Sequence, residues 1–211
     1  MPTANDVLDY WFGEPARTEP ELMQKISRWF TGGPALDREV NERFGDAIDD
    51  AIAGQLDDWA GAPRSRLALV ILLDQLTRNR FRDDPKMYSG DSKAQQLALR
   101  SFEDGTADKL ELVERLFLAM PLLHAEDLAM QQRAGEIGVA LRQDAPPLYE
   151  KMLAMHREQT GKYTDVIRRF GRFPHRNAIL GRESTPEEIE FLRDWADRAP
   201  PRGSRPADSS G

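Results

Sequence analysis

The chain has 211 residues, 40% of them hydrophobic and 31% charged, enough apolar content to bury a sizeable core. Lys and Arg number 29 against 36 Asp and Glu, a formal net charge of -7, which argues against non-specific binding to duplex DNA or an anionic membrane. There is no Cys, so disulfides, thiolate nucleophiles and thiolate metal sites are excluded, and a cytoplasmic location is expected.

Almost every periodic segment reads as helix. Val7, Leu8, Trp11 and Phe12 form one apolar stripe that Gly13 stops, and no basic region or cleavage site marks a secretory leader. Helices are expected at 19–30, 35–53, 64–81, 91–103, 110–120, 122–142, 147–159, 161–170 and 186–198. Gly32-Gly33-Pro34, Asp83-Asp84-Pro85 and Ala145-Pro146-Pro147 punctuate them as loops. Thr185, Pro186 and Glu188 spell a capping box at the start of the last helix. Residues 1–198 read as a single helical domain, and the Pro-, Gly- and Ser-rich residues 199–211 as a disordered tail. No alternating strand is evident, and no apolar run of about 18 residues predicts a membrane span. The economical architecture is all-α: antiparallel helical hairpins, tetratricopeptide-like but without a regular sequence repeat.

Three segments carry polar residues in places that packing alone does not require. The first is "RLALVILLDQLTRNRFR" at 66–82. Leu67 to Leu73 is apolar all round, so this helix should lie in the core, and it runs straight into Asp74 and Arg78, four residues apart. Either the two form a structural salt bridge or Asp74 orients Arg78 towards a cavity. One carboxylate supplies only part of what a guanidinium can donate to.

The second is "FLAMPLLHAEDLAMQ" at 117–131. Pro121 should kink or break the helix, and His124, Asp127 and Gln131 would share one face of the segment that follows, with Glu126 pointing elsewhere. A His–carboxylate pair here could transfer protons, or it could be a capped structural His. His124 and His156 are far apart and no His-Glu-x-x-His pattern occurs, so no metal site is expected.

The third is "RRFGRFPHRN" at 168–177, which holds Arg168, Arg169, Arg172, Arg176 and one of the three histidines of the chain. Gly171 can close the preceding helix in the left-handed conformation and Pro174 blocks its continuation. Phe170 and Phe173 should pin the loop to the core, so that Arg172, His175, Arg176 and Asn177 are presented on a rigid turn. They either neutralise the acidic body or form an anion pocket.

On these residues the chain resembles a bacterial family of unknown function, the one numbered 924, grouped with tetratricopeptide-like all-helical folds. The resemblance runs from Val7 to about Arg198. It rests on "VLDYWFG" at 7–13, "RWF" at 28–30, "LLDQLTRNRFR" at 72–82, Tyr88 and Asp91 in "MYSGDSKA", "HAEDLAMQ" at 124–131 and "RFGRFPHRNAILGRESTPEE" at 169–188. Ala125, Leu122 and the pair Tyr163-Thr164 depart from the residues usual in the family. The resemblance implies a fold and no reaction.

Three functions follow as expectations. One is a pocket for a small phosphate- or carboxylate-bearing ligand, lined by Asp74, Arg78, His124, Glu126, Arg172, His175, Arg176 and Asn177, with or without catalysis. A second is a tetratricopeptide-like module that holds an acidic peptide. The third is a polar core with a purely structural role. No nucleophile elbow, phosphate loop or nucleotide fingerprint is present in the sequence, and neither a cofactor nor a nucleic-acid partner is expected.

Overall fold

The computed structural model describes residues 1–143 and 145–198; the expected disordered tail lies outside the described residues. Among the described residues every regular element is helical. In chain order these are α1 (Ala4–Trp11), α2 (Glu19–Thr31), α3 (Pro34–Ile52), α4 (Pro63–Val70), α5 (Thr77–Arg80), α6 (Asp91–Glu103), α7 (Leu112–Leu123), α8 (Leu128–Gln143), α9 (Glu150–Phe170) and α10 (Pro186–Arg198). The fold is all-α, as the periodicity predicts. Among the described residues, no helix is long and apolar enough to cross a membrane.

The centre of the molecule is the rod formed by α4, a π-helical turn at Ile71–Leu76, and α5. Leu67 to Leu73 and Leu76 are fully buried. Each such aliphatic side chain contributes about 1.5–3 kcal/mol of burial, which is why an eight-residue helix with no side-chain cap is stable here. Helices α1, α3, α6 and α7 pack around the rod, and α7, α8 and α9 pack in succession beyond it. Phe117 of α7 closes one end, ringed by Trp11, Phe12, Trp29 and Phe30 at centroid distances of 4.8–6.2 Å. A second, smaller cluster of Val166, Ile167 and Phe173 is sheathed by Leu128, Tyr163, Phe170, Phe191 and Trp195 and docks α10.

The π turn has identifiable supports. It lengthens the hydrogen-bonded ring by one residue, as where the Thr77 N–H donates to the Leu72 carbonyl. Two side chains add further donors to carbonyls of the turn. Thr77 donates from Oγ1 to the Leu72 carbonyl at 2.6 Å, and Arg78 donates from Nη1 to the Asp74 carbonyl. Gly90 presses on the same turn: a Cβ there would lie 2.3 Å from the Leu73 carbonyl oxygen. Only glycine lets the backbone come this close, and the approach delivers Asp91, the first residue of α6, to the rod.

Two expected helix boundaries differ from those observed. Pro121 does not end its helix; α7 continues to Leu123, and the break falls at 124–127. His124, Asp127 and Gln131 therefore share no helix face. His124 caps the C-terminus of α7, while Asp127 accepts from the Met130 N–H at 2.8 Å at the start of α8. The expected helices 147–159 and 161–170 are one helix, α9, after a 3₁₀ turn at Pro147–Tyr149. Gly161 sits within α9, where packing of the flanking turns outweighs its low propensity. By contrast, the predicted start of α10 is present: Glu188 N–H donates to Thr185 Oγ1 at 3.2 Å and Thr185 N–H to Glu188 Oε2 at 2.8 Å.

Candidate functional site

The π turn carries Asp74 and Gln75 into the interior, one turn before Arg78. Asp74 has no exposed surface. Its Oδ1 faces His124 Nδ1 at 2.7 Å and Arg78 Nη1 at 3.3 Å, and its Oδ2 accepts from the Gln75 amide. Burial pushes the Asp74 carboxyl upward, but the charges of His124 and Arg78 and the hydrogen bonds from His124 and Gln75 outweigh it and lower it to about 2. An ionised carboxylate only accepts, so the proton of this contact lies on His124 Nδ1. Nε2 is then the ring nitrogen that Asp74 does not engage.

Arg78 reaches away from Asp74 to a second acid that the residue-by-residue reading did not place in the site. Its Nη2 donates to Asp91 Oδ2 at 3.0 Å, and its Nη1 lies 3.0 Å from Asp91 Oδ1 without alignment for a hydrogen bond. Burial raises the Asp91 carboxyl above its ordinary value, and Arg78 opposes this only in part. Burial likewise works against the charge on Arg78, but Asp74 and Asp91 more than offset it and raise its pKa.

Arg176 comes from the far end of the chain to complete the cluster. Its side chain is 9% exposed and stacks between the rings of Tyr88, at 4.7 Å, and Phe173, at 4.5 Å. Its Nη2 donates to the His124 carbonyl at 2.9 Å, one of the carbonyls left over at the end of α7. Gln131 covers two others, Leu123 at 2.6 Å and Ala125 at 2.9 Å. The closest carboxylate contact of Arg176 is Asp91 Oδ2, 3.8 Å from Nη1, and its Nε is buried with no hydrogen-bond partner. Burial, and then the charge of Arg78, push the Arg176 guanidinium below its ordinary value.

Of the eight residues expected in one site, the structure brings together Asp74, Arg78, His124 and Arg176. Of the other four, Arg172, His175 and Asn177 make their contacts towards α10, and Glu126 binds the loop before it. Arg172 is bound in bidentate fashion by Glu188, at 2.7 and 2.8 Å, and donates to the Glu183 carbonyl at 2.9 Å. Arg172, together with the Thr185 backbone and Asn177, lowers the Glu188 carboxyl to about 2 against the opposing effect of burial. Asn177 donates to Ser184 and Glu188, and the His175 ring stacks on Trp195 at 5.5 Å. Glu126 holds Arg182 at 2.7 and 2.9 Å and accepts the Phe173 N–H at 2.7 Å. Burial raises the Glu126 carboxyl, but Arg182 and this backbone donor prevail and lower it. Gly171 has φ 69°, the left-handed turn expected of it, and Phe173 is fully buried. Of the cations of this loop, only Arg176 turns inward to the His124 carbonyl.

Tyr88, Asp91, Arg182 and Glu188 are the partners that the local patterns did not assign. Asp91 and Tyr88 lie in the shared motif "MYSGDSKA", and the Gly90-Asp91 pair is the signal that could have found them. Two surface clefts, one lined by Glu14, Arg17, Gln24 and Arg28 among others and one by Glu19, Pro147 and Lys151, lie away from the cluster. Among the described residues, no group of three or more His, Asp and Glu side chains is placed to hold a metal ion.

Fold and site together describe an all-α protein with a charged network of two acids, two guanidiniums and a histidine at its centre. The chain belongs to the family described as bacterial protein of unknown function DUF924, whose model matches residues 7–195. It is similar to the solved structure of a protein of unknown function, ATU0120, from Agrobacterium tumefaciens: 34% identity, TM-score 0.75, covering 90% of this chain and 97% of that one. No curated protein matches it.

Proposed function

We propose that the Arg78–His124–Arg176 cluster binds a small anionic ligand bearing a carboxylate, phosphate or sulfate group. The observation that carries this reading is Arg176: a guanidinium with a 9% exposed side chain, an unpartnered Nε, and its nearest carboxylate contact at 3.8 Å. An arginine whose role was only structural would be expected to satisfy its fork, as Arg172 does with Glu188. Arg78 and His124, with side chains 18% and 14% exposed, stand beside it at the solvent edge. Asp74 and Asp91 are positioning residues that hold His124 and Arg78.

The peptide-module reading is weaker, since Arg172 and Arg182 of this loop are already paired with Glu188 and Glu126. In the same way, Arg172, His175 and Asn177 are better read as the joint that docks α10, and Glu126 as the anchor of Arg182 in the loop before it. Thermal melts with sulfate, phosphate and succinate test the proposal, because selective binding to the native state raises Tm. The gain should be lost in Arg176→Gln and kept in Arg172→Gln. Equal stabilisation of both variants would reduce the effect to ionic strength and overturn the reading.

A further inference from the structure

Resting on that anion-binding reading, we infer that the site takes up its anion together with one proton, carried on His124 Nε2, so that His124 is the acid–base group of the site.

The argument is charge balance in a dry place. Asp74 and Asp91 are 0% and 8% exposed, and the side chains facing them, Arg78 and Arg176, are 18% and 9% exposed. With both acids ionised and His124 neutral, the two carboxylates and two guanidiniums sum to zero; a protonated His124, whose charge helps hold Asp74 low, adds one positive charge. An anion added to this cluster would be an uncompensated buried charge, which is costly unless a partner cation forms with it. Among the groups of the cluster, three do not supply that cation: Arg78 and Arg176, the latter on the His124 carbonyl, are cationic already, and the Tyr88 phenol on which Arg176 stacks gains none by protonation. Asp74 is held ionised by His124, Arg78 and Gln75. Two groups can accept a proton, His124 at Nε2 and Asp91.

Geometry favours His124. Its Nδ1–H is donated to Asp74 at 2.7 Å, so the imidazolium that forms is already paired, and the new N–H points the added charge outward from that pair. Asp91, by contrast, would give up its contacts with Arg78 by becoming neutral. The proton comes from solvent and stays on Nε2, where it can be passed to a bound ligand with a leaving or enolising oxygen.

Isothermal titration with whichever of sulfate, phosphate and succinate stabilises most, run in buffers of different ionisation enthalpy and corrected for the anion's own protonation, counts the proton directly. Uptake should be measurable on the alkaline side and should shrink as the pH is lowered. Apparent affinity should weaken by up to about tenfold per pH unit on the alkaline side. His124→Gln should abolish the uptake and flatten the pH profile while Arg176 still holds the anion more weakly. A nitrogen-15 correlation spectrum of the unaltered protein should show His124 as the Nδ1–H tautomer at pH 8. Binding without proton uptake, or a mixed tautomer, overturns this inference and leaves anion binding intact. Uptake that survives His124→Gln but disappears in Asp91→Asn reassigns the proton and overturns it too. No stabilisation by any of the three anions removes the parent reading and this one together.

Discussion

Replacing Arg78 by Leu tests the electrostatic account of the centre most sharply. The substitution removes the cation 3.3 Å from Asp74 and 3.0 Å from both oxygens of Asp91, and also the donor to the Asp74 carbonyl in the π turn. Breaking a buried pair from one side costs about 3–5 kcal/mol. Asp74 keeps His124 and Gln75, so it stays ionised and bears the smaller share. Asp91 keeps Arg176 at 3.8 Å as its nearest cation and escapes its isolation by binding a proton. Protonation sets a ceiling: holding a carboxyl neutral at pH 7, when its ordinary value is 3.8, costs at most about 4 kcal/mol at about 1.4 kcal/mol per pH unit. At pH 5 the same ceiling is about 2 kcal/mol.

The sign follows from linkage. In the variant the folded-state pKa of Asp91 rises further above its unfolded value, so its share of stability is present below about pH 4 and is lost as pH rises through the folded value. Urea denaturation at pH 7 and pH 5, variant against wild type, should show a loss of about 3–4 kcal/mol at the higher pH and clearly less at the lower one. Adding Asp91→Asn should remove most of that pH dependence. A loss below about 1 kcal/mol at pH 7, or one equal at both pH values, would refute the claim that Arg78 neutralises Asp91.

Gly90→Ala should lower stability by about 1–3 kcal/mol, read as a drop in Tm, because the new Cβ meets the Leu73 carbonyl of a buried turn and not a side chain that can swing away; an unchanged Tm would show that the 85–90 loop does not press on the π turn. His156 is packed against Gly138, its Nε2 has no hydrogen-bond partner, and burial lowers its pKa. It is therefore neutral when folded, its contribution to stability is present above its ordinary 6.5, and that contribution is lost as pH falls through the lowered value. His156→Leu should make stability flatter with pH below about 6.5 than in the wild type, measured by denaturant melts at a series of pH values. A profile parallel to wild type would mean that His156 reaches water on protonation.

How much of this was legible in the sequence depends on the range over which each residue acts. Local chemistry was readable. Seven consecutive apolar residues placed the rod in the core, Gly171 and Pro174 closed α9, the Thr185–Glu188 box opened α10, and the spacing of Asp74 and Arg78 predicted their contact. Each of these is decided within one or two turns of chain, where sterics and hydrogen bonding depend on near neighbours.

What tertiary structure alone decided was which polar groups meet. His124 is bound by Asp74, 50 residues before it, and not by Asp127 three residues after it, because Pro121 left α7 whole and the chain turned only at 124–127. Asp91 reaches Arg78 only because Gly90 can approach the π turn, which is itself a feature of packing that helical periodicity does not announce. Of the loop cations, Arg172 met Glu188 and Arg176 met His124 although they lie four residues apart. A short turn can present identical side chains in opposite directions, and the surface that each then finds belongs to a distant part of the chain.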